Sequence, residues 1–151
     1  MNDLASIQQF FSSSGIAVAG ASRDKNKFGH QVYKDLKSKG LKLYPVNPNG
    51  GEICGDKVYE SVEALPDGVD SLLVITRPDA TKEIVENSIK KGINNIWVQQ
   101  ESDNNEVKEL LSASKGLNYI INRCIYMYAQ PVEGFHKFHR FLCKITGSYA
   151  Q

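Results

Sequence analysis

The chain has 151 residues, 41% of them hydrophobic and 23% charged, the balance of an ordinary domain with enough material for one core. Its 18 basic and 17 acidic side chains leave a formal net charge of +1, so bulk electrostatics gives no reason to expect a nucleic-acid partner. No apolar run approaches membrane-spanning length. Met1-Asn2-Asp3-Leu4 lacks the basic start and apolar centre of a signal peptide. Cys54, Cys124 and Cys143 are odd in number and widely spaced, which fits neither a disulfide framework nor a zinc pattern. The expected setting is a reducing cytoplasm, with neither membrane nor nucleic acid as partner.

In chain order, Leu4, Ile7, Phe10 and Phe11 predict an N-terminal helix packed on a sheet. Ile16-Ala17-Val18-Ala19 is an apolar run that breaks at Gly20-Ala21-Ser22, and a helical pattern resumes after Gly29. Val32 and Leu36 lie on one face of that helix, with Tyr33 beside them. A second strand over Lys42 to Val46 stops at Pro45-Val46-Asn47-Pro48. The stretch from Asn49 to Asp70 is less regular. Pro66-Asp67-Gly68 marks a turn there, and Val62 and Leu65 suggest a short helix.

The next runs, Ser71 to Ile75, Ile96 to Val98 and Tyr119 to Ile121, are nearly continuous in apolar character, as strands covered on both faces are. Ile84, Val85 and Ile89 mark the helix between the first two of them. Val107, Leu110 and Leu111 mark the next helix, where Asp103 and Glu106 have capping-box spacing. Three helical patterns close with Lys39-Gly40, Lys91-Gly92 and Lys115-Gly116; lysine suits the negative end of a helix and glycine takes the left-handed C-cap. After Pro131, phenylalanines recur at helical spacing, predicting an amphipathic helix over 131–145. The whole reads as one three-layer α/β domain over 1–151, Rossmann-like, with a five-stranded parallel sheet and helices on both faces.

Ligands of open parallel sheets bind outside the carboxyl ends of the strands. Those ends carry Gly20, Ala21 and Ser22, then Arg23, Lys25, Lys27, Phe28 and Gly29; then Asn47 and Pro48; Thr76, Arg77 and Pro78; Gln99 and Gln100; and Asn122, Arg123 and Cys124. They are polar, amide-rich and basic, without an obvious carboxylate cluster. Gly20 and Gly29 are too far apart for G-x-G-x-x-G. Small residues still let a phosphate approach the backbone, the Ser22 hydroxyl can donate, and Lys25 or Lys27 can neutralise charge. The alternative is a tight turn beside solvated lysines. At the second tip an NAD site would place Asp or Glu. Asn47 between two prolines would tolerate a phosphorylated ribose, and the prolines would form a stiff wall for adenine.

With these residues assembled, the chain resembles the small stand-alone coenzyme A-binding proteins, whose Rossmann-like domain is related to the nucleotide-binding part of the succinyl-CoA synthetase alpha subunit. The matching stretches are Ile16 to Ser22, Lys27-Phe28-Gly29, Tyr44 to Pro48, Ile96 to Gln100 and Asn122 to Ile125. The resemblance implies that Gly20, Ala21 and Ser22 cradle a pyrophosphate with Lys27 nearby. It places Asn47 and Pro48 at the adenosine end, Thr76, Arg77 and Pro78 along the ligand, and Gln99 and Gln100 toward the pantetheine path. Glu101-Ser102 stands where such proteins often have a glycine. The synthetase's phosphohistidine step uses a further domain, so the resemblance implies binding of coenzyme A or an acyl-CoA more than catalysis.

Other readings compete. An NAD(P)-dependent oxidoreductase would need a ribose-reading residue after Val46, and neither that nor a hydride-transfer partner is plain. An interaction module would use the C-terminal helix to form a homodimer or to dock on a partner enzyme. Under redox stress, a Cys124 thiolate beside Arg123 could form a mixed disulfide with the coenzyme A thiol, although free cysteine is more often a small buried apolar residue. His136 and His139 share a helical spacing but lack further metal ligands.

Overall fold

The computed structural model describes residues 3–129. Five parallel strands form the main sheet: β1 (Ile16–Ala19), β2 (Leu43–Val46), β5 (Ser71–Val74), β6 (Asn95–Gln99) and β7 (Asn118–Arg123). Their spatial order is β2-β1-β5-β6-β7. The chain leaves β1 toward β2 on one side and returns to β5 on the other, so the switch point lies at the carboxyl ends of β1 and β5. A two-stranded hairpin, β3 (Glu52–Ile53) and β4 (Asp56–Lys57), follows β2.

Alternation within the apolar runs divides the core into two layers. Ile16, Val18, Leu73, Trp97 and Ile120 face α1 (Leu4–Phe11) and α2 (Phe28–Ser38), where Phe10, Val32, Tyr33 and Leu36 close the layer. Ala17, Ala19, Leu72, Val74, Ile96 and Val98 face α3 (Pro78–Lys90) and α4 (Asn105–Ala113), meeting Val85, Val107 and Leu111. This is why the strands read as continuous rather than alternating. Trp97 is the largest fully buried side chain. Its indole N–H donates to the Arg123 carbonyl at 3.0 Å, and the rings of Phe10, Phe11 and Tyr128 surround it. Truncation of such a residue costs about 3–5 kcal/mol.

The expected lysine–glycine helix ends are present, with Gly40, Gly92 and Gly116 all at positive φ. Two local readings need correction. The α4 cap is Asn104, whose side chain accepts from the Val107 amide at 2.9 Å, while Asp103 pairs with Lys108. Val62 and Leu65 are buried but sit in a short turn rather than a helix. Upstream, Tyr59 bridges to Val46 in parallel, which draws the segment alongside β2, and Pro66-Asp67-Gly68 turns the chain directly after Leu65. The amphipathic helix expected over 131–145, with its histidine pair, lies outside the described residues.

Candidate functional site

The loop after β1 is built around a close approach. Gly20 has φ +94°, and a Cβ there would lie 2.9 Å from the carbonyl carbon of Ile75, at the end of β5. Gly29, in the first turn of α2, packs on Gly20 so tightly that any Cβ would run into the Gly20 carbonyl oxygen. The nine-residue separation that ruled out G-x-G-x-x-G is therefore spanned by a bulging loop. Its ends still meet glycine to glycine, which brings the α2 N-terminus against the strand.

The loop is held by its own polar groups. His30 Nδ1 lies 2.8 Å from the Ser22 carbonyl; a carbonyl only accepts, so Nδ1 carries the proton. Ser22 Oγ accepts from the Asp24 amide at 3.1 Å. Asn47 Nδ2 donates to the Ala21 carbonyl at 2.8 Å, and its Oδ1 accepts from the Asn49 amide at 3.0 Å. Asn47 thus ties the second tip to the first. Ala21 is fully buried, and its side chain belongs to the core.

Two clefts flank the switch point and share Thr76. The first, about 550 Å³, is lined by Gly20, Val46, Asn47 and Pro48, with Thr76 and the α3 residues Ala80, Glu83, Ile84 and Asn87. The second, about 440 Å³, is lined by Phe28, Ile75, Thr76, Arg77, Pro78, Gln99 and Gln100, closed by Glu101 and Ser102. Of the residues expected at the site, Ala21, Ser22, Lys27 and Gly29 line neither cleft; the first three belong to the loop between β1 and α2, and Gly29 to the first turn of α2. Gln99 is buried, and its Oε1 accepts from the Ile125 amide at 3.0 Å. Gln99 therefore anchors the chain after β7, and Gln100 is the exposed member of the pair. Cys124 is half-buried against the core layer under α2.

Helix ends set the electrostatics. Asp3 and Asn104 cap α1 and α4. By contrast, α2 starts at Lys27 and α3 at Arg77 with no side-chain cap. Their first-turn N–H groups, backed by the helix dipoles, are suited to an anion. One expectation is corrected here. Glu60, Glu63 and Glu83 all line the first cleft, so this end of the sheet does carry carboxylates. They come from the segment after β4 and from α3 rather than from the strand tips, which is why reading the tips alone missed them. The α3 members had a signal: Ala80, Glu83, Ile84 and Asn87 recur on one helical face.

Residues 14–130 match the family model of the CoA binding domain. The chain belongs to this family. Among curated proteins it is 33% identical over 129 residues to the alpha subunit of an ADP-forming acetate–CoA ligase II from Pyrococcus furiosus, a match covering 79% of this chain and 28% of that protein. The chain thus spans about a quarter to a third of that relative. Among solved structures, a hypothetical protein from Pyrococcus horikoshii superimposes with a TM-score of 0.77 at 32% identity, covering 86% of this chain and 92% of the other. A conserved hypothetical protein from Pyrococcus furiosus gives 0.70 at 36% identity, covering 74% and 95%. The apo dinucleotide-forming acetyl-coenzyme A synthetase 1 of Ca. Korarchaeum cryptofilum gives 0.65 at 29% identity, with 77% of this chain and 28% of that one covered. The Rossmann-like fold and membership in a CoA-binding family are therefore established, and among the described residues no helix is long and apolar enough to cross a membrane.

Proposed function

We propose that the protein binds coenzyme A, free or acylated, across the two clefts, without a reaction of its own. The observation that carries this reading is the junction of Gly20, Gly29 and Thr76, where two helices without side-chain caps converge between a cleft on each side. A pyrophosphate at that junction meets backbone N–H groups in a small-residue cradle. The adenosine extends over Asn47 and Pro48, and Ile84 supplies an apolar wall. The pantetheine runs the other way, past Arg77 and Pro78 toward Gln100 and Phe28.

Binding rather than chemistry is supported by how the polar groups are used. Ser22, His30 and Asn47 are engaged with loop backbone, which preorganises a cradle. The relatives named as ligase subunits suggest that the protein partner is an enzyme or a second copy of the chain.

An NAD(P)-binding domain is the second reading, and one observation favours it. The glutamates of the first cleft could hold ribose hydroxyls as the usual carboxylate does. Native mass spectrometry of freshly purified protein separates the two. Retained mass matching coenzyme A or an acyl derivative is expected; a retained nicotinamide dinucleotide would replace the proposal with its rival.

A further inference from the structure

The second cleft is polarised along its length. Arg77 lines it directly after β5, and Glu101 closes it after β6, one strand further from β1. Arg77 and Glu101 are the charged residues of its lining, and neither is in an ion pair with a described residue. Glu101 is exposed and holds the left-handed φ of +71°, which glycine takes freely and an L side chain resists. The Ser102 amide closes this turn on the Gln99 carbonyl at 2.9 Å, and Ser102 is itself buried, so the backbone is fixed around residue 101. Strain of this kind persists where the surrounding structure enforces it, and it clusters at functional positions. What the strained turn keeps at the cleft is a carboxylate.

This proposal rests on the reading that coenzyme A lies across both clefts with its pantetheine in the second. We infer that Glu101 sets acyl-group specificity: the site takes free coenzyme A and uncharged acyl thioesters and rejects those whose acyl group ends in a carboxylate. A ligand with its pyrophosphate at the switch point passes Arg77 first and brings its thiol or acyl end to Glu101. The order of charge in the cleft, positive then negative, matches a ligand that is anionic at one end and neutral at the other. An acyl carboxylate would face the Glu101 carboxylate, and like charges brought together on binding discriminate strongly against a ligand. Arg77 does not offset this, because it stands at the switch point, beside the pyrophosphate. The amides at the far end are neutral, and Gln99 has its oxygen engaged by the Ile125 amide. Phe28, Ile75 and Pro78 supply the apolar wall that an uncharged acyl chain needs.

The test is calorimetric titration of the full chain and its Glu101→Gln and Glu101→Gly variants with butyryl-CoA and malonyl-CoA, which are near-equal in length and differ in charge. Glutamine keeps the size and the strained backbone and removes the charge; glycine removes both charge and strain. The intact chain should bind butyryl-CoA about tenfold more tightly than malonyl-CoA at low salt, and the preference should narrow as ionic strength rises. Both variants should gain malonyl-CoA affinity and keep their butyryl-CoA affinity. Equal binding of the two thioesters by the intact chain, or an undiminished preference in the variants, overturns the role of Glu101. Free coenzyme A is the reference ligand: if the intact chain binds it, either of those results leaves the reading of the clefts standing, and if the intact chain binds none of the three, both readings fall.

Discussion

Gly29, in the first turn of α2, rests directly on the carbonyl of Gly20 at the end of β1, with no room between them for a methyl group. This contact sets how close the α2 N-terminus comes to the switch point. Gly29→Ala should therefore push the helix off the strand. The expected cost is about 1–3 kcal/mol in stability, the usual penalty of overpacking, seen as a lowered midpoint in denaturant unfolding. Coenzyme A affinity should fall with it by more than the loss of folded protein explains, because the displaced loop no longer presents its N–H groups together.

Asn47→Asp tests the tie between the first and second tips. Aspartate keeps the size but cannot donate to the Ala21 carbonyl, and it adds charge beside a phosphate-bearing ligand. The lost hydrogen bond and the facing oxygens should cost about 1–3 kcal/mol. Titration calorimetry should show roughly tenfold or greater weakening toward coenzyme A, equivalent to about 1.4 kcal/mol.

Glu101 occupies the left-handed region at φ +71°, at the place where related proteins were expected to carry glycine. The turn is closed by the Ser102 amide donating to the Gln99 carbonyl at 2.9 Å, so the loop keeps its shape with a residue unsuited to it. A left-handed conformation costs an L residue about 1–2 kcal/mol. Glu101→Gly should stabilise the protein by about 0.5–1 kcal/mol after the greater freedom of glycine in the unfolded chain is counted. An unchanged melting temperature would show that the strain is relieved elsewhere.

Asp56 joins α2 to the hairpin. Tyr33 donates to its carboxylate at 2.6 Å, and Lys37 pairs with it at 2.8 Å. Burial pushes the Asp56 carboxyl up, but the hydrogen bonds from Lys37 and Tyr33 outweigh it and hold the group below its ordinary 3.8. The Tyr33 hydroxyl is driven well above its ordinary range, by burial first and then by the carboxylate beside it. A depressed carboxyl stabilises the fold above its unfolded value and loses that contribution as pH falls through the lower, folded one. Asp56→Asn should therefore lose about 1 kcal/mol at neutral pH, a modest figure because the pair is partly solvated. The difference from the parent should shrink as unfolding is measured at successive pH values below about 4. A constant difference across that range would assign the loss to packing instead.

Much of this architecture is readable from residue order alone. Ile16 to Ala19 and Leu72 to Val74 are apolar at every position, as strands covered on both faces are. Gly40, Gly92 and Gly116 end their helices for a reason that is purely local. The cleft lining was legible where it lies on strand tips, as at Gly20, Asn47, Thr76 and Gln100. It was not legible where tertiary pairing decides. Nothing near Glu60 in sequence announces that Tyr59 will bridge to Val46 and bring a carboxylate to the cleft. Nor does the spacing of Gly20 and Gly29 reveal that the intervening loop folds back to join them. Gln99 shows the converse: a polar residue at the right tip whose acceptor is spent on the Ile125 amide.

The most direct measurement is titration calorimetry of the full chain with coenzyme A, NAD and NADP in parallel, repeated on Gly29→Ala. Saturable heat with coenzyme A, little from the nicotinamide dinucleotides, and a marked loss in the variant are the results predicted. Clear binding of NAD or NADP with no response to coenzyme A would contradict the account.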